Sequence, residues 1–303
     1  MTMEAERKPI LQGEYKLVKI LECYDYSNLY LAVSLHSSER KYAIKEIRLE
    51  SGQGSDAHRE IMEYFRTVAA PYVEVQHPGL TTLKDYFFEK GSEYVVFDYV
   101  PGHRLGEIMS MRNRPFLESQ AIDVAVKTAI ILDWMHNHKP PLYFADLNPN
   151  NILLTQLGDV ILTDFGLGRL LAPRAPDEPR LGTRGYAPPE QCGPDAVIGR
   201  SNDVYALGVL MHQMVTCHDP MIQPGVLVPC VQVNPAISED FANIIRVATN
   251  VDPTQRYLEM KDMLIHLKAI CPRRLRPLKE EGGFFQGLCR ILARPFTDPD
   301  EFN

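Results

Sequence analysis

A chain of 303 residues, 45% hydrophobic and 23% charged, holds ample apolar material for one large domain or two lobes, so a disordered chain is excluded as the starting expectation. Its formal charge of −7, with no basic cluster outside the C-terminal tail, argues against nucleic acid as the main partner, because phosphate binding needs concentrated Lys and Arg. Six cysteines at wide, irregular intervals and without a C-x-x-C pair indicate neither a zinc site nor a disulfide framework; the N-terminus lacks an export-type apolar run, and no stretch reaches the roughly 18 apolar residues of a membrane span, which together predict a soluble protein of a reducing cytoplasm.

From Tyr15 to Tyr99 short β-branched and aromatic runs predict five strands, "YKLVKIL", "LYLAVSL", "RKYAIKEI", "LTTLKDYFFE" and "SEYVVFDYV". One helix interrupts them: in "DAHREIMEYFRTVAA" Ala57, Ile61, Tyr64, Phe65 and Val68 recur at helical spacing behind Asp56 as N-cap. After "VPGHRL" the period becomes 3.6, through "ESQAIDVAVKTAIILDWMHNH", "DVYALGVLMHQMVTC" and "EDFANIIRVATNV", with a strand pair around "NILLTQLGDVILTD" between the first two. His136 and His138, at the end of the first of these helices, read as surface or cap residues and not as metal ligands. No repeat is present, which excludes a solenoid.

Several separated motifs share one order: "YAIK" ending in Lys45, "DLNPNN" with Asp146 and Asn151, "DFG" from Asp164 to Gly166, "PPE" ending in Glu190, "DVYALG" from Asp203 and "DPTQR" ending in Arg256. In this order and spacing they resemble the eukaryotic-like protein kinase family over roughly Tyr15 to Ile270. The resemblance implies an α+β, bilobal fold: a small β-rich lobe over 14–98 with one main helix, a mainly helical lobe over 99–270, and a tail over 271–303. It also implies ATP and magnesium as cofactors, since phosphoryl transfer rests on positioning and on electrostatic stabilisation of the transferring group. Asp146 matches the residue that accepts the acceptor hydroxyl's proton, Asp164 and Asn151 the metal ligands, and Lys45 the holder of the α- and β-phosphates. Lys45 would be oriented by a glutamate, and helical geometry selects Glu60, which borders the apolar stripe, over Glu63, which lies opposite it. "FDYV" matches the hinge, where the backbone of Asp98 and Val100 would bond the adenine edge behind Phe97; Ala43, Leu29 and Leu153 would pack on the ring or equally be core residues. Glu190 and Arg256 resemble a structural ion pair, and Asp203 the helix residue that anchors the catalytic-loop backbone.

Four departures qualify the resemblance. Glu22, Tyr24 and Ser27 stand where the family has glycines that let backbone N–H groups approach phosphate, and Glu22 and Asp25 add negative charge there. Asn148 replaces the lysine that stabilises the transferring phosphate; the loss of one charge-assisted hydrogen bond, ~1.5–3 kcal/mol, slows a reaction roughly ten- to a hundredfold. Ala145 replaces the arginine that pairs with an activation-segment phosphate, and Leu167 to Leu181 contains no Ser, Thr or Tyr but three prolines, so activity is expected to need no phosphate switch. Phe144 replaces a histidine and reads as a packing residue.

The leading expectation is therefore a protein kinase, serine/threonine by "GTRGY" and Pro149, acting on a protein substrate; the alternative is a pseudokinase that binds a regulatory protein. A small-molecule phosphotransferase is disfavoured by "PPE" and "DPTQR". In the tail, Phe284, Leu288, Ile291 and Leu292 share a helical face with Arg290 and Arg294 elsewhere, so the 284–296 stretch either docks back on the helical lobe or makes a peripheral membrane or partner contact.

Overall fold

The structure, a computed structural model, describes residues 10–23, 27–37, 39–48, 70–73, 75–164, 182–192 and 196–271. These fall into two compact units: one holds the residues up to Val100 with Asp164, 182–183 and 190–197, the other holds Pro101–Thr163, Arg184–Pro189 and the residues from Ile198 onward.

The first unit is a six-stranded antiparallel sheet in the order β1-β2-β3-β4-β6-β5. Its strands are β1 (Ile10–Leu11), β2 (Tyr15–Cys23), β3 (Ser27–Ser34), β4 (Lys41–Arg48), β5 (Leu83–Glu89) and β6 (Ser92–Asp98), with a short helix α1 (Ala70–Val73) before β5. The five expected strands are present, and β1 is an addition: two residues are too short for a periodic signal, and only pairing of Ile10 with Lys16 and Leu11 with Tyr15 makes them a strand. The interrupting helix expected from Asp56 to Val68, and Glu60 with it, lies outside the described residues.

Alternation divides this sheet into two chemically different faces. Cross-strand partners Leu29↔Lys45, Leu31↔Ala43, Ala43↔Phe97 and Lys45↔Val95 share one face. The other face is apolar and aromatic: Leu11, Tyr15, Leu17, Ala32, Tyr42, Ile44, Phe87, Tyr94 and Val96 form one buried cluster, with Tyr30 packed against it. Its rings meet at 5.3 Å (Tyr15 edge-on to Tyr42) and 5.3 Å (Phe87 stacked on Tyr94). At the end of this face the Glu46 carboxylate accepts from Tyr30, Tyr94 and Asn28 at 2.9–3.0 Å. Its charge is thereby held by neutral donors, and these outweigh burial, which alone would raise its pKa, so the carboxyl stays below its ordinary value.

The second unit is mainly helical. It opens with β7 (His103–Arg104) and α2 (Leu105–Arg112), continues through α3 (Glu118–His136), β8 (Ile152–Leu154) and β9 (Val160–Leu162), and closes with α4 (Arg200–Thr216), α5 (Cys230–Val233), α6 (Glu239–Ala248) and α7 (Met260–Ile270). Helices α3, α4 and α6 fall on the three segments expected from their period, whereas α2 and α7 were not anticipated as elements. Helix α6 illustrates the local logic: the Ser238 hydroxyl accepts from Phe241 N at 3.2 Å as N-cap, Glu239 and Asp240 occupy the first turn, Arg246 the last, and Phe241, Ile244, Ile245 and Ala248 are buried at helical spacing. Strands β7, β8 and β9 form a small antiparallel sheet, with Arg104 opposite Leu153 and Leu153 opposite Ile161, and this sheet frames the loop that carries Asp146.

Candidate active site

Lys45 extends from the middle of β4, on the face it shares with Leu29, Ala43 and Phe97, and forms an ion pair with Asp164. Both side chains are largely withdrawn from solvent, at 13% and 19% exposure, which strengthens their attraction relative to a surface pair. Asp164 holds a left-handed backbone, φ 59°, that costs a non-glycine residue about 1–2 kcal/mol. Among the described residues the pair engages only Oδ2, while Oδ1 is buried with no hydrogen-bond partner. A desolvated carboxylate oxygen facing no donor is costly unless a cation or donor joins it, so its chemistry fits a hard divalent ion.

The same sheet places the expected hinge. Asp98 ends β6, where its N–H donates to Thr82 O at 3.1 Å and its carboxylate pairs with Lys84 at 2.9 Å; Tyr99 N donates to Lys41 O at 3.1 Å. Among the described residues the Val100 N–H has no backbone acceptor. Glu22 lies on the face of Lys45, opposite Leu29, and Ser27 is the first residue of β3; Tyr24 and Asp25 lie outside the described residues.

In the second unit the catalytic loop is a closed network of short polar side chains. Asp146, 6% exposed, receives the Asn148 amide at Oδ1 (3.2 Å) and the Asn151 amide at Oδ2 (3.1 Å), and its backbone carbonyl accepts from both at 3.1 and 2.9 Å. The Asn148 oxygen in turn accepts from Asn150 N at 2.9 Å, capping the 3₁₀ turn Pro149–Asn151. Asn148 is thus engaged on both sides of its amide within the loop. Asn151 gives its NH₂ to Asp146, to the backbone carbonyl and to Oδ2. Leu153 follows on β8, half-buried.

A buried anchor holds this loop from behind. Asp203, on α4 and 1% exposed, accepts from Phe144 N at 3.0 Å, Ala145 N at 2.8 Å and His136 Nε2 at 2.8 Å. Ala145 carries φ 60°, so the carboxylate secures a backbone conformation that a non-glycine residue resists. The anchoring role expected of Asp203 is met. The surface role expected of His136 is not: the ring is 1% exposed, its Nδ1 has no partner among the described residues, and its backbone oxygen accepts from Arg200 at 3.0 Å. The helix-end pattern could not reveal this, because the partner that buries His136 lies 67 residues further on. Phe144 packs at 2% exposure, as a packing residue should. Phe165, Gly166 and the 167–181 segment lie outside the described residues. Arg256, 4% exposed, donates to three backbone carbonyls, Asn250, Ser201 and Val251, and lies over the Tyr205 ring at 4.7 Å.

Comparison with known proteins agrees with this arrangement. The chain belongs to the protein kinase domain family, whose model matches residues 25–266. It is 26% identical over 271 residues to the serine/threonine-protein kinase PrkC of Bacillus subtilis, a match that covers 85% of this chain and 40% of PrkC. With the serine/threonine-protein kinase PknA of Mycobacterium tuberculosis it shares 28% identity over 263 residues, 82% of this chain and 59% of PknA. The chain therefore spans between two fifths and three fifths of the length of these relatives. In fold it resembles the crystal structure of the Mycobacterium tuberculosis PknI kinase domain, with a TM-score of 0.68 at 20% identity over 88% of this chain and 99% of that one.

Proposed function

We propose that this chain transfers the γ-phosphoryl group of ATP to a serine or threonine hydroxyl of a protein. The observation that carries the reading is the Lys45–Asp164 pair: residues 119 positions apart meet so that one carboxylate oxygen holds the lysine and the other lies buried with no partner among the described residues. Magnesium, when bound, supplies charge neutralisation at the phosphates, and Asp164 Oδ1 and the Asn151 carbonyl oxygen are the hard donors that would hold it. Lys45 would grip the α- and β-phosphates, with Glu60 as its other partner. Asp146, fixed by two amides, would orient the acceptor hydroxyl and take its proton. Asn148 would act by aligning Asp146 and would bring no charge to the phosphate. Leu29, Ala43 and Leu153 would contact the adenine, whose edge would bond the backbone of Asp98 and Val100.

Control by activation-segment phosphorylation is not part of this reading, since Leu167 to Leu181 offers no hydroxyl. Stoichiometric phosphate on Thr183 that altered activity, found by mass spectrometry, would contradict it. A cytoplasmic setting is proposed because the five described cysteines are all free and no helix among the described residues is long and apolar enough to cross a membrane. A peripheral or partner contact through 284–296 is tested by deleting residues 282–303: lost liposome association supports the contact, and a lower melting temperature with unchanged association supports docking on the chain itself.

The activity itself is tested with labelled ATP, magnesium and a generic protein acceptor, beside an Asp164→Ala control. Label in the acceptor that disappears in the control is the expected result. Equal background in both would refute catalysis and leave a scaffold.

A further inference from the structure

Beyond the residues already assigned, one side chain of the second unit reaches both segments that lead to the proposed metal ligands. Arg104 ends β7, directly opposite Leu153 of β8, and its Nη1 donates to the carbonyl oxygen of Asn150, inside the turn that carries Asn151. The same nitrogen lies 3.4 Å from the hydroxyl of Thr163, the residue before Asp164. Thr163 is also tied to that turn by its own N–H, which donates to Asn151 O at 2.9 Å. The guanidinium therefore joins the catalytic turn to the end of the β9 segment, across the strand pair that separates them in sequence.

The backbone of Arg104 is fixed for this task. Its N–H donates to Glu107 Oε2 at 3.3 Å, closing the first turn of α2, and its carbonyl side leads straight into that helix. At Gly106, in the same turn, an added Cβ would meet Asn150 Oδ1, so α2 lies close against the catalytic turn and a larger residue there would have to displace the Asn150 side chain. Both acceptors lie at one nitrogen, Nη1, which the planar guanidinium holds in a fixed direction, whereas a lysine ammonium sits on a flexible stem.

We propose that Arg104 is a positioning residue for phosphoryl transfer, holding the Asn151 turn in register with Thr163 and so fixing where the metal-ligand oxygens are presented. The proposal rests on the kinase reading above. Outer partners that orient metal ligands typically change metal affinity or activity by about 10- to 100-fold when removed, and that sets the scale of the test. Wild type, Arg104→Ala and Arg104→Lys are compared in steady-state phosphorylation across a magnesium titration, and in binding of Mn²⁺ with ADP followed by electron paramagnetic resonance. Melting temperatures are recorded alongside. The expected result is a kcat about tenfold lower or more in both variants, a several-fold rise in the magnesium needed for half-maximal rate, weaker Mn²⁺–ADP binding, and an unchanged KM for the protein acceptor. The lysine variant keeps the charge, so its loss of function at a wild-type melting temperature isolates the rigid placement of the guanidinium nitrogen.

Three results overturn the proposal: wild-type rates and Mn²⁺ binding in both variants, a defect confined to the acceptor KM, or a loss explained by lowered melting temperature at unchanged metal dependence. If wild type itself gives no more label than Asp164→Ala, the kinase reading fails on its own, and Arg104 is still decided by the Mn²⁺–ADP binding of the two variants against wild type.

Discussion

Replacing Asp203 by alanine should be among the most damaging single changes available in the second unit. The carboxylate is 1% exposed and accepts three bonds, from His136 Nε2, Phe144 N and Ala145 N, at 2.8, 3.0 and 2.8 Å. Alanine withdraws it from two buried backbone N–H groups, at about 1–3 kcal/mol each, and from a buried imidazole, so a loss of roughly 3–5 kcal/mol follows. For a unit of this size each kcal/mol moves the melting temperature by ~2–4 °C, which puts the drop on the order of 10 °C. Asparagine is the informative companion. Its amide oxygen can take the place of Oδ2 and keep His136 and Phe144, while its NH₂ faces the Ala145 N–H, so only one bond is lost, at about 1–3 kcal/mol. Calorimetry on wild type, Asp203→Asn and Asp203→Ala should therefore give a graded series. In the phosphorylation assay Asp203→Asn should lose more activity than its stability loss explains, because Ala145 relaxes from φ 60° and carries Asp146 with it. An alanine variant within about 2 °C of wild type, or an asparagine variant as unstable as alanine, would refute the anchor argument.

Three further outcomes are expected. Glu46 has a folded pKa held below its unfolded value, so its stabilisation is present above the unfolded value and is lost as pH falls through the folded one; between about pH 7 and about pH 3.5 the melting temperature of Glu46→Gln should fall less than that of wild type. Gly185 combines φ 89° with a Cβ position 2.6 Å from Pro220 O, so Gly185→Ala should cost roughly 2–4 kcal/mol in a urea titration, and a silent substitution would contradict the close approach. Arg256→Lys keeps the charge but cannot serve the Asn250, Ser201 and Val251 carbonyls from three nitrogens or cover Tyr205 as a plane, and should lose about 2–4 kcal/mol by the same measurement; near-neutrality would mean the contacts are interchangeable.

The amino-acid order alone determined the alternating runs that became β2 to β6 and the 3.6-residue period that became α3, α4 and α6, because these signals are local: a strand needs a face every second residue, a helix a face every third or fourth. It also singled out Lys45, Asp146, Asn151 and Asp164, through the resemblance of their motifs to those of the protein kinase family, as candidates for phosphoryl transfer. Tertiary structure decided what depends on partners far along the chain. His136 has the sequence context of a frayed helix end, and only the packing of α3 beside α4 turns it into a buried donor to Asp203. Arg104 is an unremarked charge after a histidine until β7 pairs with β8 and sets it on the Asn150 carbonyl. Asn148, read as a lost phosphate contact, became the cap that holds Asp146, because a short amide in a tight turn reaches the neighbouring backbone and carboxylate before anything more distant. Periodicity records which side of an element is apolar; the geometry of chain crossings assigns each polar side chain its partner.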